Sequence, residues 1–71
     1  MLKVKLKSKT IRQILAEKNK SQNWLAQRLG ITSGYMAQLL AGVRHPSPEL
    51  RQKIQEYFEG KPFDALFIFK K

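Results

Sequence analysis

Cysteine is absent from this chain of 71 residues, so neither a disulfide framework nor a thiolate metal site can supplement its core. The sequence also has only one histidine, no glycine-rich phosphate loop and no catalytic pair of carboxylates. A chain of this size buries only about 60% of its unfolded surface, which leaves a thin core and no room for a catalytic lobe. We therefore expect one domain, no enzymatic activity, no metal and no cofactor.

Long apolar runs are missing as well. No stretch approaches the ~20 apolar residues that cross a bilayer, and the N-terminal residues lack the continuous apolar segment of a signal peptide. The bulky apolar residues are better explained as core than as the face of a membrane-bound helix. The expectation is a cytoplasmic protein with no membrane partner and no small-molecule substrate, and the absence of cysteine fits a reducing compartment.

Acidic residues are few. Five Asp and Glu oppose fourteen Lys and Arg, which gives a formal net charge of +9 and an isoelectric point near 10.3. Nucleic acid is the commonest polyanion that such a field attracts, although a charged surface can also serve solubility alone. The balance of charge therefore favours a nucleic-acid partner.

The two ends of the chain carry strand-like patterns. Leu2–Lys7 alternates apolar residues with lysines, which predicts a half-buried strand, with a disordered basic arm as the alternative. The segment Phe63–Phe69 (FDALFIF) is dense in aromatic residues. Because each segment alone would leave backbone groups unpaired and apolar area exposed, we predict that they pair as antiparallel strands.

Between these ends, apolar residues at helical spacing predict four helices. We expect Ser8 or Thr10 to cap the first helix, which would end near Asn19. Three further serine or threonine residues precede helical patterns, and each of these patterns ends at glycine or proline. These signals place the second helix at about 22–29 after Ser21, the third at about 33–41 between Thr32 and Gly42, and the fourth after Ser47-Pro48 as far as Gly60 and Pro62.

The segment 22–41 combines small residues with an apolar seam. Ala26 suits a close helix crossing, and Gly30 suits a sharp turn that requires a positive φ. Five larger apolar residues at helical spacing supply the seam: Leu25, Leu29, Ile31, Met36 and Leu39. Two short helices joined by such a turn form a helix-turn-helix, which in a basic chain indicates the major groove of DNA.

Gln22-x-x-Leu25-Ala26-x-x-x-Gly30-Ile31-Thr32-x-x-Tyr35-Met36-x-x-Leu39, with Gly42 after it, resembles the lambda-repressor-like family of phage repressors, Cro proteins and xenobiotic-response-element-type regulators. The resemblance covers about residues 10–58. It implies a mainly α, four- to five-helix domain over residues 1–71, here with the predicted two-stranded sheet. It also implies a transcriptional repressor or activator, with a repressor favoured, that binds double-stranded DNA and is often a homodimer.

The resemblance also implies a DNA-binding surface. Gln22 matches the family position that holds a phosphate at the start of the second helix, where free N–H groups favour an anion. Ser33, Gly34 and Gln38 match exposed positions of the third helix, and the loop that carries Arg44 and His45 matches one that contacts phosphates. The predicted DNA-binding residues are Gln22, Thr32, Ser33, Gly34, Tyr35, Ala37, Gln38, Arg44 and His45.

Several of these residues keep a second interpretation. Gly34 either permits close approach to a base pair or is neutral in a helix held by packing. Tyr35 either bonds a phosphate or packs in the core, and His45 is more often solvated than bound. Arg44 is favoured as a phosphate contact. Trp24 is expected to pack, against the first helix, rather than to contact DNA.

A different class of function also fits the sequence. The same fold can serve as an antitoxin-like or adaptor module with an acidic protein partner, because fold does not dictate function. The aromatic tail 63–69 would then be its anchor. Burial of Phe67 and Phe69 would argue against this alternative, and their exposure would favour it. RNA binding ranks lower, since aromatic and basic residues are not interleaved on one segment.

Overall fold

Five helices and a two-stranded sheet make up residues 3–70, the part of the chain that the computed structural model describes. In chain order they are β1 (Lys3–Leu6), α1 (Ser8–Glu17), α2 (Gln22–Leu29), α3 (Ser33–Ala41), α4 (Pro48–Tyr57), α5 (Phe63–Leu66) and β2 (Phe67–Lys70). The predicted mainly helical fold with an antiparallel sheet of the two terminal segments is confirmed. Leu2, which the predicted first strand includes, lies outside the described residues.

The core draws on every helix and on one face of the sheet. Among the described residues no polar or charged side chain is fully buried. Ile31, which the sequence assigns to the apolar seam, is only half-buried, and it packs with the half-buried Tyr57 against the core. The fully buried centre consists of Ile11, Leu25, Met36, Leu39, Ile54, Leu66 and Phe67.

Three of the predicted helix caps are confirmed. The Ser21 hydroxyl accepts a hydrogen bond from the Trp24 N–H at 3.0 Å, and Thr32 accepts one from the Tyr35 N–H at 3.1 Å. Ser47 accepts one from the Leu50 N–H at 3.2 Å. Each bond satisfies a donor that has no partner within its helix, so the starts of α2, α3 and α4 are fixed by local sequence.

The predicted cap of the first helix is wrong. Lys7 occupies the N-cap position of α1 without a side-chain hydrogen bond, while Ser8 and Thr10 lie inside the helix. The helix also ends at Glu17 rather than near Asn19, because Asn19 takes a positive φ of 57° that an α-helix cannot include. The Ser8 hydroxyl instead donates a hydrogen bond to the carbonyl oxygen of Leu40, in the last turn of α3.

Replacing Ser8 by alanine is expected to lower the free energy of unfolding by about 1 kcal/mol, because the part-buried Leu40 carbonyl loses its partner. In a domain of this size that loss corresponds to a melting temperature lower by roughly 4–8 °C. Thermal denaturation followed by circular dichroism measures it. The control is Gln13→Ala at an exposed position of α1; equal melting temperatures for the two variants would show that the bond contributes nothing.

The aromatic tail departs from the predicted single strand. Phe63–Leu66 forms one helical turn, and only Phe67–Lys70 pairs with β1, in the register Leu6↔Phe67 to Lys3↔Lys70. Leu66 and Phe67 are consecutive and both fully buried. A strand sends neighbouring side chains to opposite faces, so only a change of backbone conformation between them buries both.

Candidate nucleic-acid interface

Residues 22–41 fold as two helices joined by a short turn, as predicted. Gly30 ends α2 with a φ of 74°, and the Ile31 N–H donates to the Ala26 carbonyl at 3.0 Å. Ala26 is buried, as its place in a close crossing requires. With Thr32 capping α3, the direction of α3 is set within three residues of the end of α2.

The nine residues of α3 separate into two faces. Met36, Leu39 and Leu40 are buried, and Tyr35 is half-buried against the core. The exposed residues of α3 and its N-cap carry short or uncharged side chains. All but Ala41 are predicted DNA-binding residues: Thr32, Ser33, Gly34, Ala37, Gln38 and Ala41. Gln38 alone has a long side chain, so it extends farthest from this exposed face.

The chain beyond α3 is fixed by backbone hydrogen bonds. Gly42 adopts a φ of 80°, and the Val43 N–H donates to the carbonyl oxygen of Gln38 at 3.0 Å. Arg44 and His45 follow in an exposed loop, which leads through the buried Pro46 to the Ser47 cap of α4. Both predicted loop residues are therefore accessible and held next to the C-terminal end of α3.

Gln22 is the first residue of α2 and is half-buried. The first backbone N–H groups of a helix have no partner within the helix, and the helix dipole adds partial positive charge at this end. This position suits the phosphate contact that the resemblance implies. The structure places Gln22 at the N-terminal position that such a contact requires.

Trp24 packs on α4 rather than on the first helix. Its ring meets that of Tyr57 edge to face, with centroids 5.4 Å apart. Two cations lie over the indole, with Lys20 Nζ 5.0 Å and Arg28 Cζ 5.5 Å from its centroid. Such contacts restrain cationic side chains that would otherwise be free, so this part of α2 presents ordered positive charge.

The acidic residues lie outside the helix-turn-helix in the sequence, although Glu49 borders the hollow that Gly30 and Tyr35 line. The five of them lie at Glu17, Glu49, Glu56, Glu59 and Asp64, which are the end of α1, α4 and the segment around α5. Residues 18–48 contain none, whereas Lys18, Lys20, Arg28 and Arg44 fall within this range. The spacing of acidic residues along the sequence carries this signal, whereas helical periodicity does not. The helix-turn-helix thus lies in a stretch that carries basic residues and no acidic ones.

Residues 3–70 lack two other features, a helix that could span a membrane and a group of metal-ligating side chains. No helix there is both long and apolar enough to traverse a bilayer. Nor do three or more acidic or histidine side chains within that range form a group that could hold a metal ion.

A family model described as helix-turn-helix matches residues 11–66. The chain belongs to this lambda-repressor-like family. Its members are DNA-binding regulators and are generally not enzymes, so this helix-turn-helix protein is of the DNA-binding regulatory type. Comparisons with curated proteins and with solved structures gave no match.

Proposed function

We propose that this helix-turn-helix protein binds double-stranded DNA sequence-specifically and represses transcription, with α3 in the major groove. The observation that carries the proposal is the exposed face of α3, where Ser33, Ala37 and Gln38 project from a helix anchored in the core. The surrounding segment 18–48 contains no acidic residue that would repel phosphates.

The dimensions of α3 suit this position. Nine residues at 1.5 Å each give a helix about 13 Å long. The major groove is about 12 Å wide, so the residues beyond both helix ends lie near sugar-phosphate strands. Thr32 would occupy one end, and Arg44 and His45 the other. We assign Arg44 as the main phosphate contact of the loop, because a guanidinium group can donate two hydrogen bonds to one phosphate.

Base recognition on this surface depends on few groups. A glutamine amide can bond both N6 and N7 of adenine, which makes Gln38 the main candidate for recognising an A·T pair. The Ala37 methyl can contact a thymine methyl, and Ser33 can donate or accept a hydrogen bond. The exposed face lacks Arg and Lys, the usual guanine-binding side chains. Phosphate contacts and DNA shape would therefore supply much of the affinity.

Replacing Gly34 by alanine tests whether the backbone of α3 approaches the DNA closely. A β-carbon at this position meets no atom within 4 Å in the protein, so the variant should be at least as stable as wild type. Glycine costs up to about 1 kcal/mol relative to alanine inside a helix, and less in the first turn. We expect an unchanged or higher melting temperature together with weaker binding to the preferred duplex. Undiminished binding would assign Gly34 no role at the interface.

We further propose that two copies bind two half-sites about 34 Å apart, one turn of DNA, since one short helix contacts few base pairs. The tail offers an apolar surface for pairing. Phe69 is 55% exposed, and its ring lies against that of Phe63, with centroids 5.5 Å apart. A palindromic consensus would support this arrangement.

A protein-interaction role is the second candidate, and the same exposed Phe69 favours it, together with Ile68 on the other face of the sheet. The aromatic tail is only partly available to a partner, however. Phe67 is 1% exposed and belongs to the core, so the larger anchor foreseen from the sequence is reduced to two side chains at its end.

The deciding experiment is enrichment of random duplexes on the purified protein, followed by mobility-shift titrations at several salt concentrations. Selected and scrambled duplexes of equal length are compared. Tighter binding to the selected duplex supports a sequence-specific regulator. Equal binding to both would limit the activity to non-specific DNA binding, and no binding to either would leave the interaction module as the better proposal. Repression itself is measured with a reporter that carries the selected site.

A further inference from the structure

The β1–β2 sheet has one face turned away from the core. Val4, Leu6 and Phe67 are buried on its inner face, so the intervening residues project outward. The register places Lys3 opposite Lys70 and Lys5 opposite Ile68. We call this outer set, Lys3, Lys5, Ile68 and Lys70, the lysine face.

The Lys3–Lys70 pair works against the stability of the sheet. Like charges directly opposite each other on antiparallel strands are destabilising. Neither strand contains an acidic residue that could offset them, since β1 is KVKL and β2 is FIFK. Solubility alone would be served by lysines placed elsewhere on the surface, whereas an anion lying across this face would relieve the repulsion.

The lysine face adjoins the C-terminal end of α3. Lys5 Nζ lies 3.8 Å from where a β-carbon on Gly42 would stand, and Gly42 is the C-cap of α3. Arg44 follows two residues later in the chain. The Lys5 ammonium group therefore lies at the C-terminal end of α3. If α3 occupies the major groove, a sugar-phosphate strand passes near this end. The last turn of α3 contains no basic residue of its own.

We propose that the lysine face binds the DNA backbone beyond the C-terminal end of α3, an inference that rests on the proposed DNA-binding function. Lys5 extends the phosphate contacts of Arg44, and Lys3 contacts the strand farther along. The exposed Ile68 lies across from Lys5 and can pack against deoxyribose. The folded sheet thus adds a second, sequence-independent contact surface to the helix-turn-helix.

The test compares two double variants of the full chain that each lower the formal net charge from +9 to +7. Lys3→Gln/Lys5→Gln removes two charges from the lysine face. Lys53→Gln/Lys61→Gln removes two from the region of α4, which carries Glu49, Glu56 and Glu59. Dissociation constants on the selected duplex are measured between about 50 and 200 mM salt, the range over which counterion release is steep.

Loss of two phosphate contacts should make the slope of log K against log salt shallower by about 1.8, at about 0.9 for each contact. The control variant should keep a slope near that of wild type. Equal slopes for the two double variants would overturn the proposal. The proposal would also fail if Lys3→Gln/Lys5→Gln had the salt slope of the control and a lower melting temperature. Lys5 would then only offset the negative end of the α3 dipole.

The single variant Lys3→Gln keeps the test decisive if the double variant folds poorly. Removing one of two opposed charges should leave the melting temperature unchanged or higher, while the salt slope falls by about 0.9. An unaltered slope in a stable Lys3→Gln variant would remove Lys3 from the interface. Failure of the wild-type protein to bind any duplex would instead reject the DNA-binding function itself, so the two failures are distinguishable.

Discussion

Replacing Gln38 by alanine is expected to weaken binding to the selected duplex by about 1–3 kcal/mol, which is roughly 5- to 150-fold, and to leave the scrambled duplex unaffected. The side chain is exposed and is the longest on the outward face of α3. If it bonds adenine at two atoms, its removal costs affinity only where that base is present. The preferred base at this one position should therefore become degenerate.

The substitution leaves the structure of α3 intact. Gln38 contributes to the end of the helix through its carbonyl oxygen, which accepts from the Val43 N–H and is retained in alanine. Alanine also has a slightly higher helix propensity than glutamine. Fluorescence anisotropy with selected and scrambled duplexes measures the effect, and Gln27→Ala, an exposed glutamine on α2, is the matched control.

Arg44→Gln provides the contrasting result for this prediction. Loss of a phosphate contact should weaken all duplexes to a similar extent and make the salt slope shallower by about 0.9. If Gln38→Ala also lowers affinity for both duplexes equally, the side chain does not recognise a base.

Replacing Leu39 by alanine is expected to destabilise the protein by about 2–5 kcal/mol, because a fully buried side chain leaves a cavity. Leu39 is 0% exposed, although it directly follows the exposed Gln38. A core in a chain of this size rarely supplies more than about 3–5 kcal/mol of net stability. The variant should therefore be largely unfolded near room temperature and should lose binding to every duplex.

Urea denaturation followed by circular dichroism measures this loss, with Met36→Leu as the matched control. Met36 is equally buried, and a swap that nearly conserves volume costs less than about 1.5 kcal/mol. A cooperative transition at the wild-type midpoint in Leu39→Ala would contradict the placement of this face of α3 in the core. We expect Gln38→Ala to change specificity and Leu39→Ala to change stability. The two adjacent residues therefore test the exposed face and the buried face of α3 separately.

Local sequence was sufficient for the helix boundaries that depend on residues three apart. Ser21, Thr32 and Ser47 each cap the helix that follows, because the hydroxyl and the N–H it accepts from are close in any helical turn. The inward face of α3 was equally predictable, since Met36, Leu39 and Leu40 follow the helical period.

The predictions that failed concern residues with two local options. Ser8 has the chemistry of a cap, but it lies inside α1, and its hydroxyl donates a hydrogen bond to the carbonyl oxygen of Leu40, 32 residues away. Trp24 was assigned to the first helix, and only the packing of α4 on α2 supplies Tyr57 instead. Neither the Ser8–Leu40 bond nor the Trp24–Tyr57 contact can be inferred from neighbouring residues in the sequence.

The sequence by itself determined the helix-turn-helix, its caps and the outward position of Ser33 and Gln38, because helical hydrogen bonds and helical periodicity involve neighbours along the chain. The tertiary structure decided three things: the Ser8–Leu40 bond, the break between α5 and β2, and the approach of Lys5 to Gly42. Each brings together segments far apart in sequence or depends on such a contact, and only packing of the whole core sets these distances.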